Sequence, residues 1–225
     1  RQRAREAAAT ARLRPEFRSL RFSGLILQEA VDRFAFATVL DIGSGAGEQA
    51  RLLRRLGKRV TEVDVGDSAY FHERSAAAPT REAEAEVLLG DFMTIDFGGR
   101  RFDAALMSHV LEHQPNVGLF LRKAVDLVHE GGAIIVTVPP AKHQIVGGHL
   151  TIWNAGLLLY NLVLAGLDCS GAVVRRYGYN ISVAVRKRSA SLPSLTHDVG
   201  DVDRIAHLLP PGLREGFDGD IAQLN

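Results

Sequence analysis

The stretch VLDIGSGAGE, residues 39–48, carries the strongest structural signal in this chain. Its first four residues are typical of a short buried strand, its three glycines of a tight turn, and Glu48 of the start of a helix. Glycine is needed where the backbone takes a positive φ or approaches a ligand without a Cβ in the way. A helix that begins there directs unpaired N–H groups toward whatever the turn holds. The stretch therefore predicts the ligand-binding unit of an α/β fold.

The glycine spacing indicates which ligand the turn takes. A dinucleotide fingerprint, G-x-G-x-x-G, would place its third glycine at position 48, where this chain has Glu48. A carboxylate at that position would repel the negative charge of a pyrophosphate. A nucleoside cofactor without phosphates, which carries an amine and a carboxylate, fits the turn better than NAD does.

Polar residues follow the next two predicted strands. The second strand, residues 59–64, ends at Asp64, 21 residues after Gly43. A carboxylate roughly 20 residues beyond the turn is where a doubly wound fold binds ribose hydroxyls. The third strand ends near Asp91, which can accept from an exocyclic amine, while Phe92 or Met93 covers a purine face.

The fourth and fifth predicted strands complete a pattern of parallel strands joined by helices. Residues 102–107 form the fourth strand and lead into Ser108 and His109, and residues 131–139 form the fifth. Ligands of open α/β sheets bind at the carboxyl ends of the strands, where the strand order reverses. We therefore expect the polar residues after these strands to share one cleft.

Five pieces of the sequence, in order, resemble the class I S-adenosylmethionine-dependent methyltransferases over about residues 38–187: LDIGSGAGE, VTEVD, LLGDF, FDAALMSHVLEH and HEGGAIIVTVP. The resemblance implies a Rossmann-like, doubly wound sheet of seven strands, mostly parallel with an antiparallel last strand. It also implies S-adenosylmethionine as cofactor. The methionine end would be held by Asp41, Gly43, Gly45 and Gly47. Asp64 would bind the ribose and Asp91 the adenine amine, and Ser108 and His109 would flank the sulfonium.

The length of 225 residues predicts one domain with two additions. Residues 1–37 form an N-terminal helical segment, residues 38–188 the cofactor domain, and residues 189–225 a tail with one short helix at 202–209 that Asp201 caps. Hydrophobic periodicity predicts further helices at 22–36, 48–56, 117–128 and 151–166. Two final strands are expected at 171–177 and 179–187.

Composition limits the partners of the chain. The formal net charge of +1 implies no overall attraction to nucleic acid or to an anionic membrane. The longest apolar stretch, residues 156–167, is too short to span a bilayer, so no integral membrane segment is expected.

The single Cys169 is expected in the core. With no secretory signal in the sequence, a cytoplasmic location is expected. The oligomeric state does not follow from the sequence.

The segment His109-Val110-Leu111-Glu112-His113 matches the H-x-x-E-H signature of a zinc peptidase. That chemistry needs both histidines on one face of a helix and a third ligand. Here the motif follows a buried strand directly, and Pro115 comes two residues later. The sequence therefore predicts no metal.

The acceptor is expected against residues 139–153, which follow the fifth strand. The sulfonium makes the methyl carbon electrophilic, so the enzyme mainly has to align an acceptor lone pair. A sugar, glycan or small-molecule hydroxyl benefits from a histidine base, and this loop supplies His149 and His143. His149 ranks first because it precedes a predicted helix, and His109 is the third candidate.

Two other functions stay open at this stage. A non-catalytic S-adenosylmethionine-binding module that regulates a partner would carry the same cofactor motifs. Glu48 argues against an NAD-dependent oxidoreductase, because it stands where the dinucleotide fingerprint has its third glycine.

Overall fold

The computed structural model describes residues 11–20, 22–76 and 86–221. It contains one seven-stranded sheet with the order β3-β2-β1-β4-β5-β7-β6. All neighbours are parallel except β7, which runs antiparallel to both β5 and β6. The strands are β1 Thr38–Ile42, β2 Arg59–Asp64, β3 Glu86–Leu89, β4 Phe102–Ser108, β5 Val128–Val138, β6 Val173–Tyr177 and β7 Asn180–Arg186. The predicted doubly wound sheet is confirmed, and its order reverses between β1 and β4.

Helices cover both faces of this sheet. They are α1 Pro15–Arg18, α2 Gly24–Arg33, α3 Glu48–Arg55, α4 Ala69–His72, α5 Val117–Asp126, α6 Ala155–Leu164 and α7 Asp201–Arg204. Short 3₁₀ turns occur at Glu73–Ala76, Leu111–His113 and Ala206–Leu208. Within the described residues, no helix is both long and apolar enough to cross a membrane.

The alternation of side chains along the strands divides the core into two layers. One layer packs under α2 and α3 and contains Val39, Ala104, Leu106, Ile135, Ile26, Leu27, Ala50 and Leu53. The other packs under α5, α6 and the tail and contains Leu40, Ile42, Ala105, Met107, Phe120, Leu158, Leu162 and Ile205. Near the carboxyl ends of the strands, the layer under α2 and α3 contains polar side chains instead of apolar ones. Its buried polar residues there are Asp41, Glu62, Asp64, Thr137 and Ser182.

Two elements begin three or more residues away from their predicted starts. Strand β5 starts at Val128. Gly131, with a φ of 83°, accommodates a change of register in the pairing with β4, so the strand continues on both sides of this glycine. Helix α6 starts at Ala155 rather than near residue 151. The side chain of Asn154 caps it by accepting from the N–H of Leu157, and residues 150 and 151 instead bond to the loop after β4.

The prediction for the tail helix was wrong in its cap and its length. Gly200 occupies the cap position of α7, and the helix ends at Arg204 before a 3₁₀ turn. The carboxylate of Asp201 instead accepts from the N–H groups of Thr196 and His197. Residues 1–10 and 21 of the predicted N-terminal helical segment lie outside the described residues.

Candidate active site

The glycine turn after β1 has the backbone conformation that its sequence predicts. The φ angles of Gly43, Gly45 and Gly47 are 74°, 50° and 73°. A Cβ on Gly43 would stand 2.8 Å from Cγ2 of Val110, in the loop that follows β4. This turn therefore excludes side chains both by backbone conformation and by the close approach of the neighbouring loop.

Asp64 joins the glycine turn to the end of β2. Its buried carboxylate accepts from the N–H of Gly45 at 2.8 Å and from the N–H of Gly66 at 2.9 Å. Each carboxylate oxygen has more than one acceptor position, so these two bonds leave capacity for another donor. The residue predicted to bind ribose thus also fixes the loops on either side of the cleft.

Asp41 lies buried beneath the turn, beside Glu62 on the neighbouring strand. Burial first, and then the negative charge of Glu62, raise the pKa of Asp41 to about 8. Its Oδ2 has no hydrogen-bond partner among the described residues. Asp41 therefore carries a proton at neutral pH and keeps one buried oxygen free for a ligand.

An ion-pair network that the sequence analysis missed supports the same turn. The fully buried Glu62 pairs through Oε1 with Arg54 at 2.8 Å and through Oε2 with Arg74. The Arg74 guanidinium also donates to the Ser44 hydroxyl at 3.1 Å and to the Gly45 carbonyl at 3.3 Å. A charged residue inside a buried strand was the available signal for this network.

Asp91 and Phe92 lie in different environments. Asp91 is exposed, and its Oδ1 accepts from the N–H of Met93 at 2.9 Å. Phe92 is 4% exposed, with its ring centroid 4.8 Å from that of Phe120 in the core. The ring of Phe92 therefore faces the core and does not support its predicted role of covering a purine.

The exposed apolar side chains at the same edge come from residues next to the two strand ends. Val65 follows Asp64 and is 59% exposed, and Leu89 at the end of β3 is 63% exposed. From the sequence alone, Val65 and Leu89 cannot be distinguished from core residues. Their exposure makes them the apolar surface beside Asp64 and Asp91.

Ser108 and His109 lie at the end of β4, as predicted. The Ser108 Oγ is buried and has no partner among the described residues. His109 has a φ of 55°, and its Nε2 lies 2.8 Å from Oδ1 of Asn180 on β7. Its Nδ1 lies 3.2 Å from Oε1 of Glu112. Because both ring nitrogens of His109 are engaged, this side chain is held in place and is less available as a base than the sequence suggests.

Residues 139–153 form the wall of a cavity at this edge. The cavity has a volume of about 250 Å³, and its lining includes His143, His149, Trp153 and Tyr179. His143 is exposed, whereas His149 is partly buried with its ring centroid 5.2 Å from that of His113. Burial lowers the pKa of His149, which keeps its ring neutral at pH 7.

Comparison with known proteins agrees with this architecture. A family model described as a methyltransferase domain matches residues 40–136. The chain is 34% identical over 105 residues to a ubiquinone biosynthesis O-methyltransferase of Azorhizobium caulinodans, covering 44% of this chain and 39% of that protein. It is 30% identical over 98 residues to a demethylmenaquinone methyltransferase of Tropheryma whipplei, covering 44% and 40% respectively. The matches thus span about two fifths of these relatives' lengths.

Solved structures share the fold. A 1,6-didemethyltoxoflavin-N1-methyltransferase of Burkholderia thailandensis, with bound 1,6-didemethyltoxoflavin and S-adenosylhomocysteine, aligns with a TM-score of 0.60 at 23% identity. The alignment covers 83% of this chain and 80% of that one. An S-adenosylmethionine-dependent methyltransferase of Clostridium acetobutylicum aligns with a TM-score of 0.56 at 12% identity, over 82% and 96% of the two chains. The family match over residues 40–136 and the strand order thus indicate a methyltransferase domain of the class I, S-adenosylmethionine-dependent type.

Proposed function

We propose that this protein transfers a methyl group from S-adenosylmethionine to a hydroxyl of a small molecule bound against residues 139–153. The observation that carries the proposal is the position of the cavity. Its lining residues follow the carboxyl end of β5, at the edge of the sheet where the glycine turn follows β1 and where β2 ends at Asp64, and a partly buried histidine, His149, lines it. Two relatives, a ubiquinone biosynthesis O-methyltransferase and a demethylmenaquinone methyltransferase, support a small-molecule acceptor by their names.

The residues at the turn fit the cofactor. Two buried oxygens, Oδ2 of Asp41 and Oγ of Ser108, have no partner among the described residues, and each can bond to a polar group of a ligand. Asp64 has acceptor capacity left for ribose hydroxyls, and Asp91 can accept from the adenine amine. The exposed side chains of Val65 and Leu89 offer apolar cover for a purine. When bound, the cofactor supplies an electrophilic methyl carbon.

The protein's own contribution is alignment and proton transfer. The glycine turn and Asp64 fix the nucleoside, while the cavity wall presents the acceptor from the other side. The neutral ring of His149 takes the proton of the acceptor hydroxyl as the oxygen becomes the nucleophile. Glu112, whose carboxylate is buried nearby, stabilises the positive ring that results.

The rim of the cavity favours an acceptor with an apolar part over a sugar. Ile145 is fully exposed, and Leu150 and Ile152 are each 63% exposed. Ile145 and Ile152 also line the cavity. Adjacent exposed apolar side chains at a cavity mouth are typical of a binding surface for an apolar group. An alkylated phenol carries both a hydroxyl to react and a chain to cover this rim.

The test combines binding and turnover on the full chain. Calorimetric titration with S-adenosylmethionine and with NAD should give binding of the first and none of the second. Labelled S-adenosylmethionine is then offered with alkylated phenols, monosaccharides and primary amines. Methylation of a phenol hydroxyl supports the proposal. Transfer only to sugars or amines contradicts the acceptor class, and cofactor binding without transfer to any of them indicates the non-catalytic module.

A further inference from the structure

We propose that Glu112, His113 and His149 form a site for a divalent transition metal, with zinc as its best-suited ion, at the mouth of the acceptor cavity. One ligand atom from each residue lies within 4.8 Å of the others. Two imidazoles and one carboxylate are a donor set that zinc takes in catalytic sites, where a fourth position stays open.

The hydrogen bond of His113 shows which of its nitrogens is available. Its Nδ1 lies 2.8 Å from the carbonyl oxygen of Gly148, which can only accept, so Nδ1 carries the proton. The Nε2 of His113 is then the unprotonated nitrogen, and it lies 3.9 Å from Oε1 of Glu112. A backbone carbonyl that fixes the tautomer in this way is a common outer partner of a metal-binding histidine.

Glu112 supplies the second observation. Its side chain is 1% exposed, and its Oε2 has no hydrogen-bond partner among the described residues. A buried carboxylate oxygen without a donor is costly unless a cation or a donor compensates it. His109 contacts the other oxygen, Oε1, through Nδ1, and so fixes the direction of the carboxylate.

The backbone brings the three ligands together without a metal. The carbonyl of Glu112 accepts from the N–H of Leu150 at 2.7 Å and from the N–H of Thr151 at 3.2 Å. The Thr151 hydroxyl donates to the Leu111 carbonyl at 3.1 Å. Ligand atoms of a tetrahedral zinc site stand about 3.3 Å apart. The separations here, all within 4.8 Å, are close enough for a bound ion to draw the ligand atoms together by small movements.

This arrangement differs from the zinc-peptidase motif that the sequence argument rejected. His109, the first histidine of that motif, bonds to Asn180 and Glu112 instead of joining the cluster. The missing third ligand comes from His149, 36 residues beyond His113 in the chain. The proposal replaces the sequence-based prediction that the chain has no metal.

The site gives the proposed methyl transfer a different way to activate the acceptor, and this part of the inference rests on the proposed function. A hydroxyl bound at the open position of the metal loses its proton to solvent near neutral pH. The oxygen–carbon bond then forms as the sulfur–carbon bond breaks, and the sulfonium becomes a neutral thioether. In this scheme His149 is a ligand, not the base.

Metal binding is tested first, independently of activity. The full chain is stripped with a chelator and titrated with Zn²⁺ and with Mg²⁺ by calorimetry, and its metal content is measured by mass spectrometry. We expect one Zn²⁺ per chain and no comparable Mg²⁺ binding, because imidazole ligands disfavour Mg²⁺. His113→Ala and His149→Ala should each weaken Zn²⁺ binding at least tenfold. His143→Ala, an exposed histidine of the same loop, should leave it unchanged.

Equal Zn²⁺ binding in all three variants, or no stoichiometric binding by the unmodified chain, would overturn the proposal. Circular dichroism and titration with S-adenosylmethionine establish that each variant is folded. Methyl transfer is then compared between stripped and Zn²⁺-loaded protein. Activity that needs Zn²⁺ supports the metal role, whereas full activity in the stripped protein overturns it and leaves His149 as the base. Zn²⁺ binding without methyl transfer retains the site and rejects only the proposed function.

Discussion

The protonated state of Asp41 predicts how the free energy of unfolding depends on pH. Burial raises the pKa of Asp41 from 3.8 to about 8, so the folded state binds a proton that the unfolded state has released at neutral pH. A raised folded-state pKa gives stability that is fully present below pH 3.8 and is lost as the pH rises through 8. Asp41→Asn keeps the shape of the protonated acid and removes its titration.

The expected magnitude follows from linkage. Each pH unit between the two pKa values changes the free energy of unfolding by about 1.4 kcal/mol. Between pH 5 and pH 7, the Asp41→Asn variant should therefore gain about 3 kcal/mol relative to the unmodified chain. Urea denaturation followed by circular dichroism at several pH values measures this difference directly.

Asp103→Asn provides a control, because the pKa of Asp103 is shifted in the opposite direction from that of Asp41. Burial raises the pKa of Asp103, but bonds from the N–H groups of Ala37 and Thr38 and from the Thr38 hydroxyl outweigh it and lower the pKa overall. Its stabilising effect is present above the ordinary aspartate pKa and is lost only as the pH falls below it. The Asp103→Asn difference should thus be constant between pH 5 and pH 7. A constant difference for Asp41→Asn over the same range would mean that Asp41 is already ionised in the folded protein at pH 5, contrary to this prediction.

Three further variants test individual parts of the site. Gly45→Val should abolish S-adenosylmethionine binding, because a side chain there meets Tyr70 at a φ of 50°; Gly98→Val, with a φ of 58° in open space, is the matched control that should still bind. Phe92→Ala should cost about 3–5 kcal/mol of stability and leave cofactor affinity unchanged in the folded protein. A large loss of affinity would return Phe92 to the cofactor site. His149→Ala should lower turnover about 10²–10⁴-fold at constant cofactor affinity, whereas the exposed His129→Ala should retain full turnover.

The fold followed from the sequence because local signals agreed with one another. The glycine turn, the acid at the end of β2 and the alternation of strand and helix patterns each indicated a doubly wound sheet. The strand bounds came within three residues for β2, β3 and β4, where apolar runs are flanked by turn residues. Strand β5 begins three residues before its predicted start at Gly131, because the strand continues through the change of register at this glycine.

The site was harder to predict wherever it depends on the direction of a side chain or on contacts between distant segments. Sequence order places Phe92 beside Asp91, but only the packing against Phe120 decides which of them faces the cleft. Residues 112 and 149 are far apart in the chain, and backbone bonds between the two loops bring them together. Such contacts leave no local pattern in the sequence.

Calorimetric titration of the unmodified chain and of Asp64→Ala tests whether the glycine turn and Asp64 hold S-adenosylmethionine. The unmodified chain should bind one S-adenosylmethionine and no NAD. Hydrogen bonds to a charged group contribute about 1.5–3 kcal/mol, so Asp64→Ala should bind roughly 10–100-fold more weakly while remaining folded. Equal affinity in the folded variant, or binding of NAD in preference to S-adenosylmethionine, would contradict the account.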